Sequence, residues 1–513
     1  MGASLDRLRP AVARSRAALR RAVAVDPRAL AALRIALGGL LLVDLLLRSR
    51  DLVAFYTDAG VLPRALLRQQ FGRLAALAFV HDLSGAAWFE GVLFVVAGAV
   101  ALALLLGYRT RLATAVSLVL LVSLQLRDPL VLNGGDAVLR RLLFWGLFLP
   151  LGGCWSVDAA RTGRRLEPVA SVASAALLVQ VVLVYLVNGL LKLRGPAWVS
   201  GQAVRVVFHL DALTVRFGDL LAGFPHLLEL VDWLWLALLL GSVLLLVLRG
   251  PPRAALAGAF ATVHLGMFLT MRLGLFPFVS MAALVPFLQA PVWDAAQARL
   301  GPSIDLLRRR ASTLVASPPI RPALDGLARG LPERPRPPSP TPLAGAFQGT
   351  ARRSIHGFVA LALAFVLLWN AASLGVVTAP AAVTHVVDPA QRRWDMFAPQ
   401  PRTDDGWYVV PGELASGGTV DAFHGGPVTW DRPPELARTF PSHRWFVYLL
   451  HLPGSGTAPL RAGFADYLCR RWNGAHDDRL VAVHVYYLLE PARADGSGPV
   501  QRVDLGRYGC PAG

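Results

Sequence analysis

Lys192 is the single lysine among 51 basic residues; all the others are arginine. A guanidinium keeps its proton inside a protein, whereas an amine in an apolar setting can release one and serve as a base. Lys192 closes a long apolar run, so it is either such a base or a cation reaching for the membrane interface. Arginine fills every other cationic position in the chain, and an interfacial anchor needs nothing that arginine lacks. That favours the base, with its amine in an enclosed cavity. His264 sits in another apolar run, between Val263 and Leu265. Buried there, it makes an interhelical hydrogen bond or lines the same cavity as Lys192. Asn133 and Asp136 bracket Gly134 and Gly135 ahead of a further run. They either cap that helix, for which Asp136 is a good N-cap, or form a re-entrant wall that binds a polar head group.

Other chemistries find no support. The eleven histidines show no HExxH and no paired His/Cys spacing, so no metal is expected. There is no Walker loop, no GxGxxG after a strand and no GxSxG elbow. Carboxylates are scarce in the apolar runs, which argues against an acidic proton relay.

The elements that must position these residues are membrane helices. The 513 residues are 55% hydrophobic and only 16% charged, where a soluble domain averages about 25% charged. Nine spans are expected, at 32–48, 87–106, 113–126, 138–155, 170–193, 230–248, 254–271, 275–290 and 356–378. With the N-terminus in the cytoplasm, the inside segments carry 24 arginines against 8 acidic residues, and the region 379–513 carries 13 against 14. This is the positive-inside bias, and it explains the net charge of +18 without nucleic acid. The expected location is a bacterial inner membrane, multi-pass, with an uncleaved first span. The arginines among residues 10–25 mark an interfacial helix or a basic flank.

The fold class is therefore an all-α polytopic membrane bundle of about nine helices with a small C-terminal α+β extracytoplasmic domain. A basic segment, 1–29, precedes a bundle at 30–290. An Arg/Pro-rich cytoplasmic linker, 291–355, includes LPERPRPPSPTP at 331–342, which cannot be helical. A last span at 356–378 leads to the tail, 379–513. Strands are expected near 408–410 and 481–487, and helices at 442–451 and 459–473. Cys469 and Cys510, both in the tail, are bonded or remain separate thiols; Cys154 lies at the opposite end of a span.

Several segments together resemble the HTTM (horizontally transferred transmembrane) domain, bacterial relatives of vitamin K-dependent γ-glutamyl carboxylase. They are RIALGGLLLVDLLLR at 34–48, FYTDAGVLPR at 55–64, LNGGDAVLRRLLFWGLFLPLG at 132–152, WSVDA at 155–159, YLVNGLLKLRGPAW at 185–198, HLGMFLTMRLGLFPFVSMAAL at 264–284 and RWDMFAPQPRTDDGW at 393–407. Single motifs are loose; their order and spacing are more specific. The resemblance implies that Lys192 is the base that deprotonates a reduced quinone, a vitamin K hydroquinone or menaquinol. Oxygen then yields a strong alkoxide base that abstracts the γ-proton of a peptide glutamate for carboxylation. Tyr185, Asn188 and Trp198, with Asn133 and Asp136, are the candidates to hold the cofactor, and His264 joins Lys192 as a candidate catalytic residue. The chain departs from the carboxylase in having no histidine at 132–137, in Leu191 where the first of two lysines stands, and in its short tail.

Two functions follow. One is quinol-dependent chemistry in an intramembrane cavity, acting on an exported peptide or protein. The other is a non-enzymatic membrane protein that holds a lipid or quinone and binds an exported partner through its tail.

Overall fold

The computed structural model describes residues 14–15, 17–162, 167–299, 342–385, 387–492 and 498–511. The basic N-terminal stretch before 14 and the proline-rich 331–341 lie outside them. Among the described residues nine longer helices precede the tail: α1 (Pro27–Ser49), α2 (Ala87–Leu106), α3 (Thr110–Arg127), α4 (Gly134–Gly146), α5 (Val172–Lys192), α6 (Pro225–Gly241), α7 (Gly250–Thr270), α8 (Phe276–Leu284) and α9 (Pro342–Ser373).

Six described helices are long and apolar enough to cross a membrane: α1, α2, α3, α5, α7 and the part of α9 from Arg353. A seventh span arises if the bent pair 276–287 and 290–299 crosses as one. The expected count of nine is therefore not reached on length and composition. The other three spans fall on shorter helices for local reasons. α4 stops at Gly146 and the chain turns through 147–153 around Pro150. α6 ends at Gly241, followed by a separate short helix at Leu244–Val247. α8 tightens into a 3-10 turn at Val285–Phe287, where Pro286 removes a backbone donor.

α5 is the central helix. Within its apolar stretch 72% is buried inside the protein, against 11% for α9, which presents its length outward. Its start is fixed by a capping box in which Ser171 and Ser174 each accept from the other's backbone N–H. It stops at Lys192, where Gly195 and Pro196 follow.

The tail holds a five-stranded antiparallel sheet. β4 (Leu480–Pro491) lies between β5 (Gln501–Gly509) on one side and, on the other, β1 (Asp404–Val409) and β2 (Pro411–Leu414) end to end; β3 (Thr419–Asp421) extends β2. Two helices, α10 (His443–Leu449) and α11 (Ala458–Asn473), cover it. A disulfide joins Cys469 on α11 to Cys510 after β5, while Cys154 is free.

Tail and bundle share one core. Trp407, Tyr408, Phe446 and Phe464 pack in the same buried cluster as Phe55, Tyr56, Leu62 and Leu130. A buried charge network pins the two together. Asp44 on α1 binds Arg48 through Oδ2 at 2.7 Å and Arg444 of α10 through Oδ1 at 2.6 Å. Asp136 Oδ1 binds Arg48 at 2.6 Å and Arg444 at 3.3 Å. Tyr56 adds its hydroxyl to Arg48 at 2.7 Å. Two carboxylates thus face two guanidiniums, so the charges balance where water is excluded.

Candidate functional site

The C-terminal half of α5, α4, α6, α7 and α8 enclose a cavity of about 500 Å³. Its wall is almost wholly apolar, so it suits a lipid-soluble guest. Lys192, His264, Asn133, Tyr185, Asn188 and Trp198 all line it. The structure thus brings together six of the seven residues selected from sequence. Asp136 is the exception: it faces a smaller neighbouring cavity of about 90 Å³ and belongs to the charge network. Asp136 is also not the helix cap. Asn133 is the N-cap, its Oδ1 accepting from Gly135 N at 2.8 Å and Asp136 N at 3.3 Å. Asp136 answers from the third helical position by accepting from Asn133 N at 2.9 Å. The GGD segment places the cap three residues earlier than the acidic residue alone suggested.

On the tail side the cavity is closed by a strap, residues 394–399. Its carbonyls are held by side chains of α5 and of the short helix after it. Asn188 Nδ2 donates to Trp394 O at 2.9 Å and Met396 O at 3.1 Å. Lys192 Nζ donates to Met396 O at 3.1 Å and Phe397 O at 3.4 Å. Trp198 Nε1 donates to Phe397 O at 2.8 Å. The Lys192 amine lies 3.2 Å from the centre of the Trp198 ring, a close cation–π contact. Two glycines permit this closeness: a Cβ at Gly195 would lie 1.6 Å from Pro399 O, and one at Gly134 2.6 Å from Met396 Sδ. Lys192 is 1% exposed. No carboxylate makes a salt bridge with it among the described residues, although the buried Asp232 of α6 is close enough to act on its charge. Two carbonyls and an aromatic face are acceptors only, and they suit the three N–H bonds of an ammonium.

Three polar side chains in the cavity wall keep unpaired atoms: His264 Nε2, both amide atoms of Gln180 and His443 Nδ1. Buried polar atoms without partners are uncommon, and each needs an explanation. The two imidazoles are fixed in opposite senses. His264 Nδ1 lies 2.8 Å from Phe260 O, so Nδ1 carries the hydrogen and neutral His264 offers Nε2 as an acceptor. His443 Nε2 lies 2.9 Å from Asn133 Nδ2. Because Asn133 Oδ1 is committed to the helix cap, the group facing His443 is the donor NH₂. His443 therefore accepts at Nε2 and offers Nδ1–H as a donor. Burial, together with the nearby Arg444 charge, pushes the His443 imidazole down to about 4, so it is neutral near pH 7. Aromatic rings surround His264: Tyr185, Trp235 and Phe276 each have centroids 5.8 Å from it.

Sequence reasoning missed Gln180, His443 and Met396. Gln180 was visible as an amide within an apolar run. Met396 lies in the WDMF segment, noted only as a motif. His443 lies in a polar tail, with nothing nearby in sequence to link it to the bundle. No group of three or more His, Cys, Asp or Glu that could hold a metal occurs among the described residues.

Comparison with known families aligns residues 23–293 with the HTTM domain. The chain belongs to the HTTM domain family. The aligned region runs from just before α1 to beyond α8, so it contains α4 to α8, the membrane helices that wall the cavity, and leaves the strap and His443 of α10 outside. No curated protein and no solved structure matches the chain. The family and the apolar helices together make this a membrane protein.

Proposed function

We propose that this HTTM protein binds a reduced quinone, a vitamin K hydroquinone or menaquinol, in the cavity beside α5. The observation that carries the reading is the pair of oppositely oriented imidazoles in an apolar wall. A guest must present a hydroxyl hydrogen to His264 Nε2 and an oxygen lone pair to His443 Nδ1–H. A quinol hydroxyl can do either. A quinone carbonyl can accept from His443 but leaves His264 unpaired, and an orphaned buried acceptor costs roughly 1–3 kcal/mol. Gln180 can pair with either form. The aromatic rings around His264 offer faces and edges to a flat ring system. A bound quinol supplies the chain with a hydroxyl proton and a source of electrons.

In the strapped state Lys192 is a latch, because its three donors are engaged by the strap and by Trp198. The base reading is favoured by its position in the same wall as His264. It requires the strap to lift, freeing the amine from Met396 and Phe397. Glutamate carboxylation belongs to that lifted state. A lipid or quinone simply held in the cavity, with the tail binding an exported partner, is the non-enzymatic counterpart.

The location that fits these features is a bacterial inner membrane, with the N-terminus cytoplasmic and the tail outside, where an exported peptide would meet it. Reporter fusions at about residue 330 and after the tail should report opposite sides.

The deciding experiment is binding of a short-chain naphthoquinol and its oxidised form to the purified protein in lipid nanodiscs. The quinol should bind about tenfold or more tightly, which corresponds to one lost hydrogen bond, and His264→Phe should abolish the difference. Equal affinity for both forms, or co-purification of phospholipid alone, overturns the proposal.

A further inference from the structure

We infer that the guest enters the cavity sideways from the bilayer, through a gap between the tail-side halves of α6 and α7, and not from water beneath the strap. This rests on the binding site proposed above and adds its route.

The strap side is the most heavily fastened part of the wall. Asn188, Lys192 and Trp198 hold three carbonyls of the strap, those of Trp394, Met396 and Phe397, and Arg141 stacks over Trp394 at 4.4 Å. Lifting it would break five hydrogen bonds and expose an ammonium.

The α6–α7 side is different. Leu227 lines the cavity and is 44% exposed. Val231 on α6 and Val263 and Met267 on α7 line it while only half-buried. Gly266 also lines it, and nothing lies within 4 Å of where its Cβ would be. The same side chains therefore form both the cavity wall and the outer surface, a wall one residue thick. The gap has firm limits. Deeper in the membrane, the Trp235 ring closes it against Phe260 and His264, at 6.0 and 5.8 Å. Toward the tail it is roofed by the short helix Gly218–Ala222. That roof is tied to the end of α7 by Val215 N donating to Thr270 O at 2.9 Å and Arg272 N donating to Leu213 O at 2.8 Å. Between these limits no backbone hydrogen bond crosses from α6 to α7. Only side-chain rotations are needed to widen it.

The chemistry of the rim matches a bilayer source. Phe217, Leu220, Phe224 and Leu230, all more than half exposed, flank the gap with Leu227. An exposed apolar collar of this kind is stable against acyl chains and not against water. An apolar guest already dissolved in the bilayer reaches His264 without passing a polar layer.

The test is the rate of loading. The protein is reconstituted in phosphatidylcholine vesicles, and uptake and release of a short-chain naphthoquinol, kept reduced and read by its own fluorescence, are timed. Leu220→Trp and Leu230→Trp, at exposed rim positions outside the cavity lining, narrow the gap, and Trp394→Ala, which removes the Arg141 stacking, loosens the strap. A blocked path slows arrival and departure alike, so both rates should fall about tenfold with little change in affinity. Trp394→Ala should leave both rates unaltered. Unchanged rates in both gap variants, or faster loading in Trp394→Ala, place the route under the strap and overturn the inference. So does a fall in affinity through faster release alone, since the gap residues would then belong to the site. If the wild-type protein takes up no quinol at all, the binding site fails and not its route.

Discussion

Asn133 and His443, 310 residues apart in the chain, share a hydrogen bond of 2.9 Å. Through it the cap of a membrane helix dictates the tautomer of an imidazole in the tail. The cavity's hydrogen-bonding character is thus set partly by the capping chemistry of α4. Asn133→Ser would still cap the helix, because a hydroxyl accepts from the same backbone N–H groups, but it would release the ring. Preference for quinol over quinone should weaken, and the buried His443 Nε2 left without its donor should lower thermal stability by roughly 1–3 kcal/mol.

The latch at Lys192 is open to a direct test. Lys192→Met leaves the carbonyls of Met396 and Phe397 without their charged donor, which costs about 1.5–3 kcal/mol. Amide exchange in 394–399 should accelerate. Lys192→Arg retains the charge but must fit a larger head between two carbonyls and the Trp198 ring, with an overpacking cost of about 1–3 kcal/mol. Unaltered exchange in the Met variant would sink the latch.

Removal of one member of the buried charge network should be costly. Arg444→Met leaves Asp44 and Asp136 sharing Arg48 alone, and an uncompensated buried charge costs about 3–5 kcal/mol. Melting in detergent should show it. Adding Asp136→Asn restores the balance and should recover much of the loss. Additive damage in the double variant would mean the charges act independently.

Acid should destabilise the fold, with a predictable onset. His443 stays neutral down to about 4 in the folded chain, against an ordinary value of 6.5. The unfolded chain alone takes up that proton between those values, so stability falls as pH drops from 6.5 toward 4 and this group adds nothing below. His81, pushed down to about 3 by burial and by Arg127 and Arg48, continues the loss to lower pH. His443→Gln should flatten a plot of Tm against pH between 6.5 and about 4, and His81→Gln between 6.5 and about 3.

The disulfide closes a loop spanning a sequence separation of 41. Chain entropy assigns such a closure about 4 kcal/mol. Cys510→Ser should lower the stability of the tail by up to that amount. A reductant should destabilise the parent and leave the variant unmoved.

Much of the bundle was legible because hydropathy is a local property. α2 matches its expected bounds of 87–106, and α1, α3, α5 and α7 differ by a few residues. The excess spans came from apolar runs cut by breakers whose effect depends on neighbours, as at Pro150 and Pro286. Lys192 stood out by composition alone. Its partners did not, since backbone carbonyls some 200 residues away carry no side-chain signature. His443 illustrates the same limit: only the tail's docking through Arg444, its sequence neighbour, explains why that imidazole reaches the cavity.

The strap has a consequence for biogenesis. Every described helix long and apolar enough to cross a membrane, the last being α9 ending at Ser373, is synthesised before residues 394–399. A nascent chain therefore passes through a stage in which the helices are made but the Lys192 ammonium has neither Met396 nor Phe397 to hold. The cavity is then open at one end and the cation unshielded. A product cut short after α9 is stranded in that state, with Asp44 and Asp136 also lacking Arg444. Such a fragment differs from the finished protein in an exposed amine at Lys192 and an acidic pair, Asp44 and Asp136, that Arg48 alone must balance.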